Sequence, residues 1–93
     1  MVKPVKISEF LPCGQSNAVP LRQLQTLTNL DGRTIRRMIE RERRNGVPIL
    51  SDNQTGYFLA ENDDERDTFV KSMLHRANEI RLTAAAIEKG VKT

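Results

Sequence analysis

Apolar positions along the chain change their period several times, and each change marks an element. In residues 6–11, Ile7, Phe10 and Leu11 fall at i, i+3 and i+4, which predicts a short helix stopped by Pro12 and Gly14. After a polar loop from Gly14 to Asn17, Ala18-Val19 is long enough only for a very short strand. Pro20 suits the first turn of a helix, where a missing N–H is harmless. Leu21, Leu24 and Leu27 then place a short buried helix over 20–28. Thr28-Asn29-Leu30 reads as a tight turn, and Asp31 as the cap of the next helix, 32–45. In that helix Ile35, Met38, Ile39 and the stem of Glu42 share one face, which predicts Ile35 and Ile39 in the core with Leu24 and Leu27 packed against them. Asn45-Gly46 ends it, since either residue accepts a left-handed backbone.

Period two follows. Val47 to Ser51 and Tyr57 to Ala60 are strand-like runs around the polar, glycine-ended loop Asp52 to Gly56, which predicts a β-hairpin. Pro48 belongs at an edge or at a strand start, because it cannot donate to a ladder. Residues 63–89 contain no Gly or Pro and form one long helix of about 40 Å, capped by Asn62 or Asp63. The fold class is therefore mainly α with a small β-hairpin and a long C-terminal helix. Residues 1–61 form one unit and 62–93 a helical appendage.

The most informative chemistry lies on helix 32–45, where Arg33, Arg36, Arg37, Arg41, Arg43 and Arg44 occupy six of twelve consecutive positions. Arg33, Arg37 and Arg44 project opposite the apolar face, with Glu40 between them, while Arg36 and Arg41 flank the stripe. A guanidinium is planar, permanently charged and able to donate paired hydrogen bonds, which suits phosphate oxygens and guanine edges. An arginine-rich helix can also be no more than a solvated surface, so its surroundings decide. Residues 1–60 carry nine Lys/Arg against five Asp/Glu, and residues 61–93 carry six against seven. The basic excess belongs to the part that holds the arginine helix, which points to a polyanionic partner.

Helix, short strand, helix, turn, arginine helix and hairpin is the order of a winged helix-turn-helix domain. Pro20-Leu21-Arg22-Gln23-Leu24, Arg36-Arg37-Met38-Ile39, Gly46-Val47-Pro48-Ile49 and Gly56-Tyr57-Phe58-Leu59 together resemble the DNA-binding domain of biotin-operon-repressor-type winged helices. Similar small proteins occur in bacterial and phage-derived gene sets. The resemblance covers roughly residues 6–60 and rests on the order and spacing of the four motifs. It implies that helix 32–45 enters the major groove of double-stranded DNA and that the wing, about 48–60, lies beside the backbone. Arg33, Thr34 and Arg37 are then the base-reading candidates. Arg36, Arg41 and Arg44 meet phosphates, and Arg22 or Gln23 anchors the preceding helix. The wing tip departs from a basic pattern: Asp52 is acidic, and Asn53, Gln54 and Thr55 offer only neutral donors. The biotin ligase domain of that family has no counterpart here.

The C-terminal helix adds assembly. Val70, Met73, Ala77, Ile80, Ala84 and Ile87 recur with spacing 3-4-3-4-3, an a/d heptad seam flanked early by Phe69 and Leu74. A compact domain of about 60 residues has a radius of gyration of only about 10–11 Å, so this helix outreaches it. Phe69 to Leu74 are expected to pack on the domain, and Met73, Ala77, Ile80, Ala84 and Ile87 to meet a second copy in a homodimer. The carboxylates Asp63, Asp64, Glu65 and Asp67 compensate the helix dipole and do not suggest a metal site.

Other classes have little support. His75 is the only histidine and sits inside the C-terminal helix, and no Ser/His/Asp set or Cys/His pair has support. Cys13 is the only cysteine, so no internal disulfide or cysteine zinc site can be built, and there is no phosphate-cradling glycine loop. No enzyme activity, cofactor, metal or small-molecule ligand is expected. Without a membrane span or a signal-peptide core, the expected location is cytoplasmic, in a bacterial or phage-infected cell. The expected function is a DNA-binding transcriptional regulator or phage or mobile-element accessory factor. The alternative is a winged-helix interaction module that docks protein partners through its heptad helix.

Overall fold

A computed structural model of the chain describes residues 6–90, so the outer ends of the two expected units, 1–5 and 91–93, lie outside the described residues. The elements are a 3₁₀ turn Ile7–Phe10, a second Gln15–Asn17, α1 Leu21–Thr28, α2 Gly32–Arg44, β1 Ile49–Asp52, β2 Gly56–Leu59 and α3 Asp63–Lys89. The protein is mainly α with a small antiparallel hairpin and a long C-terminal helix, as the hydrophobic pattern predicts. The first segment tightens to 3₁₀ rather than α because it has no room to propagate. Leu11 precedes Pro12 and is held extended at φ −105°, ψ 131°.

Local signals place the turns. Pro20 sits at the cap of α1 rather than inside its first turn, with its carbonyl accepting from Gln23 and Leu24. Asn29 takes the left-handed conformation, φ 59°, and lets the chain reverse before α2. Gly46, at φ 94°, closes α2: its N–H donates to the Arg43 carbonyl and that of Val47 to Glu42, the paired bonds of a Schellman motif.

In the hairpin Ile49 pairs with Leu59 and Asp52 with Gly56, which leaves Asn53, Gln54 and Thr55 as the loop. The short strand expected at Ala18-Val19 is a single residue. Val19 exchanges two 2.8 Å hydrogen bonds with Tyr57, so β2 is bonded on both edges. That close approach requires Gly56, where a Cβ would lie 2.3 Å from the Val19 carbonyl oxygen.

The core joins these elements through Ile7, Leu24, Ile35, Ile39 and Ile49, each 2% exposed or less, with Leu11 and Val19 in the same cluster. Leu50 and Phe58, paired across the hairpin, are buried outside it. One expectation fails here. Leu24 is fully buried, but Leu27 is 52% exposed and does not pack against Ile35 and Ile39. Three-residue spacing falls back by about 60° per step on a helix, so Leu21, Leu24 and Leu27 fan across roughly 120°. The buried arc centred on Leu24 extends toward Leu21 and leaves Leu27 outside.

The second correction concerns α3. Phe69 is half-buried against the domain, whereas Val70 and Met73, 45% and 42% exposed, only border a groove on it, and Leu74, 64% exposed, faces solvent. No described residue of α3 is buried. The radius of gyration is 16.5 Å over 59 × 31 × 25 Å, against about 12 Å for a compact chain of this length, because α3 projects beyond the rest. No helix among the described residues is long and apolar enough to cross a membrane.

Candidate nucleic-acid interface

α2 is held by one face and open on the other. Its inner face buries Ile35, Ile39 and Glu42. Its outer arc, about 140° wide at 100° per residue, carries Arg36, Glu40, Arg33, Arg44, Arg37 and Arg41, all exposed. Five guanidinium groups against one carboxylate therefore cover a strip some 16 Å long, on a rod narrow enough to enter a major groove. Among the described residues only Arg44 of these five has an ion-pair partner, Glu40 at 2.8 Å. Both side chains are well exposed, so the pair holds Arg44 weakly.

Two residues of this helix have roles that the hydrophobic pattern does not assign. Arg43, the one arginine of the six to which that pattern gives no face, is half-buried. Its Nε donates to the Ile49 carbonyl at 2.7 Å, a terminal nitrogen donates to Ser51 Oγ at 3.3 Å, and the guanidinium lies 5.2 Å from the centre of the Phe69 ring. Burial lowers its pKa, opposed by Tyr57 and Glu40, but an arginine so placed remains a cation. Arg43 thus ties α2 to β1 and to α3. Its position beside the Ile35/Ile39 face was the available signal. Glu42 is buried entirely, not by its stem alone. Its carboxylate accepts from the Ile7 amide at 2.7 Å and the Ser8 amide at 3.0 Å, so it supplies the acceptors that the first 3₁₀ turn lacks. An acid inside an apolar stripe was the sign of this role.

At the start of α2, Asp31 Oδ1 accepts from the Thr34 amide at 2.7 Å. Hydrogen bonds from the Thr34 amide and hydroxyl hold the Asp31 carboxyl below the usual carboxylate range, helped by Arg33 and Arg37. A folded pKa below the unfolded one gives stability that is present above the unfolded value and lost as pH falls through the folded one. Asp31→Ala should therefore lower the melting temperature at neutral pH, and the difference from the unmodified protein should shrink as pH drops below about 4. A difference independent of pH would mean that the carboxylate charge does not act in the cap. Thr34, half-buried and engaged by Asp31, is less free to reach outward than Arg33 or Arg37.

Arg22 and Gln23 are exposed on α1, and Arg41 lies on the flank of α2. Arg36 lies apart from them on the hairpin side. With Pro20, Leu21, Tyr57 and the loop residues Asn53, Gln54 and Thr55 it lines a cleft of about 340 Å³. The acid of the hairpin is tied back: Asp52 accepts from the side chain of Gln15 and, through Oδ1, from the Gln54 amide at 2.8 Å. The tip presents only neutral Asn53, Gln54 and Thr55. The carboxylates at the start of α3 have local partners as well. Glu65 accepts from the amides of Gln15 and Glu61, Asn62 caps the helix by accepting from the Glu65 amide, and Asp63 pairs with Arg66 at 3.0 Å.

Comparison of the chain with protein-family models, with curated proteins and with solved structures returns no match.

Proposed function

We propose that this protein binds double-stranded DNA as a winged helix-turn-helix module, with α2 as the reading helix. The observation that carries the reading is the outer arc of α2. Five exposed arginines, four without an ion-pair partner among the described residues, stand on a helix whose other face is locked into the core. The tight turn at Asn29 fixes α2 against α1, and the hairpin lies beside it with Arg36 facing the loop. Arg33 and Arg37 approach base edges, because the N-terminal part of a reading helix points into the groove. Arg36, Arg41, Arg44, Arg22 and Gln23 meet the phosphate backbone, and Asn53 to Thr55 add neutral donors from the wing. In the cell such a module serves as a transcriptional regulator or as an accessory factor of a phage or mobile element.

The test is retention on duplex DNA as salt is raised. Binding should weaken steeply, by about 0.9 log units per log unit of salt for each phosphate neutralised. Arg37→Ala should weaken binding by about 1–3 kcal/mol and relax preference at one base pair. Arg44→Ala should weaken all duplexes alike and reduce the salt slope by about one unit. Equal losses on every sequence for both variants would remove Arg37 from base reading.

A second reading is favoured by one observation, the open apolar side of α3. In it the protein docks protein partners through that helix, and the arginines face an acidic surface. Absence of salt-sensitive retention on any duplex would select it over DNA binding.

A further inference from the structure

α3 leaves an apolar seam without a cover. Val70, Met73, Ile80 and Ile87 are 45%, 42%, 69% and 73% exposed, and Ala77 and Ala84 complete the a/d series between them. We infer that this seam is covered by α3 of a second copy, running antiparallel, with Val70 opposite the partner's Ile87, Met73 opposite the partner's Ala84, and Ala77 opposite the partner's Ile80.

Side-chain size supports this register. In two of its three kinds of layer a long side chain meets an alanine, so the helices approach closely without voids. The parallel, in-register arrangement stacks Ala77 on itself and Ala84 on itself and leaves those layers thin.

Charge supports it independently. The first half of α3, residues 63–75, carries four acids against Arg66 and Lys71. The second half, 76–89, carries Arg76, Arg81 and Lys89 against two acids. Antiparallel pairing separates the two acidic starts of α3, brings the partner's Lys89 level with Thr68 beside Asp67, and opposes the two helix dipoles. Parallel pairing sets acid against acid and brings Arg76 beside the partner's Arg81 across the flanking positions. In the antiparallel register the partner's Arg81 lies instead by Leu74, whose exposed side chain its aliphatic stem can cover.

The seam also runs into the domain. Val70 and Met73 form one wall of a groove of about 710 Å³, whose floor includes Val47, Pro48 and Phe69 and whose α2 rim carries Arg36, Glu40 and Arg44. The partner's Ile87 would sit at the mouth of that groove, so the pairing surface continues from α3 onto the body of the protein.

This inference rests on the DNA-binding reading in one respect, the use of the dimer. The pair is centred between residues 78 and 79. At 1.5 Å per residue the two Phe69 positions lie about 28 Å apart along the axis and the two Asp63 positions about 46 Å. The reading domains attach between those points, a range that brackets the 34–36 Å between successive major grooves on one face of DNA.

The test uses the full chain with Cys13→Ser, into which Val70→Cys and Ile87→Cys are introduced separately. Oxidising a mixture of the two should yield the mixed disulfide-linked dimer, and oxidising either alone should yield little. Sedimentation at high micromolar concentration should show a dimer that Ile80→Asp converts to a monomer without loss of helical circular dichroism. On duplexes with two half-sites, Ile80→Asp should lose more than about tenfold in affinity beyond its loss on one half-site. Cross-linking of each variant with itself would overturn the antiparallel register. A monomer that forms no cross-link would overturn the pairing even where DNA is bound. A mixed cross-link in a protein that ignores DNA would leave the pairing intact and overturn the DNA-binding reading instead.

Discussion

Ile39→Ala is expected to destabilise the protein by about 2–5 kcal/mol, the cost of emptying a buried aliphatic site. Ile39 is 2% exposed and belongs to the cluster that joins both 3₁₀- and α-helical segments to β1. A domain of this size has a total stability of about 5–15 kcal/mol, so the substitution removes a large part of it. The melting temperature should fall by about 10 °C or more. Arg33→Ala, on the opposite side of the same helix and exposed, should change stability by less than about 0.5 kcal/mol. Thermal or urea denaturation followed by circular dichroism separates the two. The reverse order of effects would mean that α2 presents its aliphatic face outward, and the arginine arc would lose its meaning as a binding surface.

The faces of α2 were legible because every signal for them is local. A helical period, an Asp at the cap and Asn-Gly at the end specify both the element and its orientation, and Asp31 and Gly46 act as their residue types suggest. The hairpin was legible for the same reason, within two residues at its ends. What the pattern missed depends on residues far apart in the chain. Leu27 has the same identity and spacing as Leu24, and only the position of the neighbouring elements decides which of them is buried. Arg43 looks like its five neighbours until β1 and Phe69 are placed beside it. Leu74 is as apolar as any core residue, yet it lies on the face of α3 turned away from Phe69 and stands in solvent. The candidate reading residues were legible as a set, since Arg33, Arg36, Arg37, Arg41 and Arg44 share one open arc. The diversion of Thr34 toward Asp31 and the turning back of Asp52 from the wing tip were not, because each follows from side-chain hydrogen bonds.

Glu42→Ala is expected to destabilise the protein by about 3–5 kcal/mol without touching the exposed arginines, an unusual outcome for a glutamate in an arginine-rich helix. Glu42 lies 35 residues from Ile7 in sequence, and its two carboxylate oxygens are the acceptors for the Ile7 and Ser8 amides. Ile7 is completely buried, so its orphaned N–H has no route to water once the carboxylate is gone. Each buried donor left unpaired costs about 1–3 kcal/mol, and hydrogen bonds to a charged group lie toward the upper end. Glu42→Gln keeps the volume and one acceptor oxygen, and its amide nitrogen cannot accept, so the loss should be roughly half as large. Stability should therefore rank unmodified protein above Glu42→Gln above Glu42→Ala. Hydrogen exchange supplies the site-specific readout: the Ile7 amide should be protected in the unmodified protein and should exchange much faster in Glu42→Ala. Retention on duplex DNA, measured below the melting temperature of each variant, should stay the same, since Glu42 faces the core and the reading arc faces away from it. Equal melting temperatures for Glu42→Ala and the unmodified protein would show that the two amides find other partners. A loss of DNA retention in the folded variant would show that the first 3₁₀ turn helps hold α2 in its reading position.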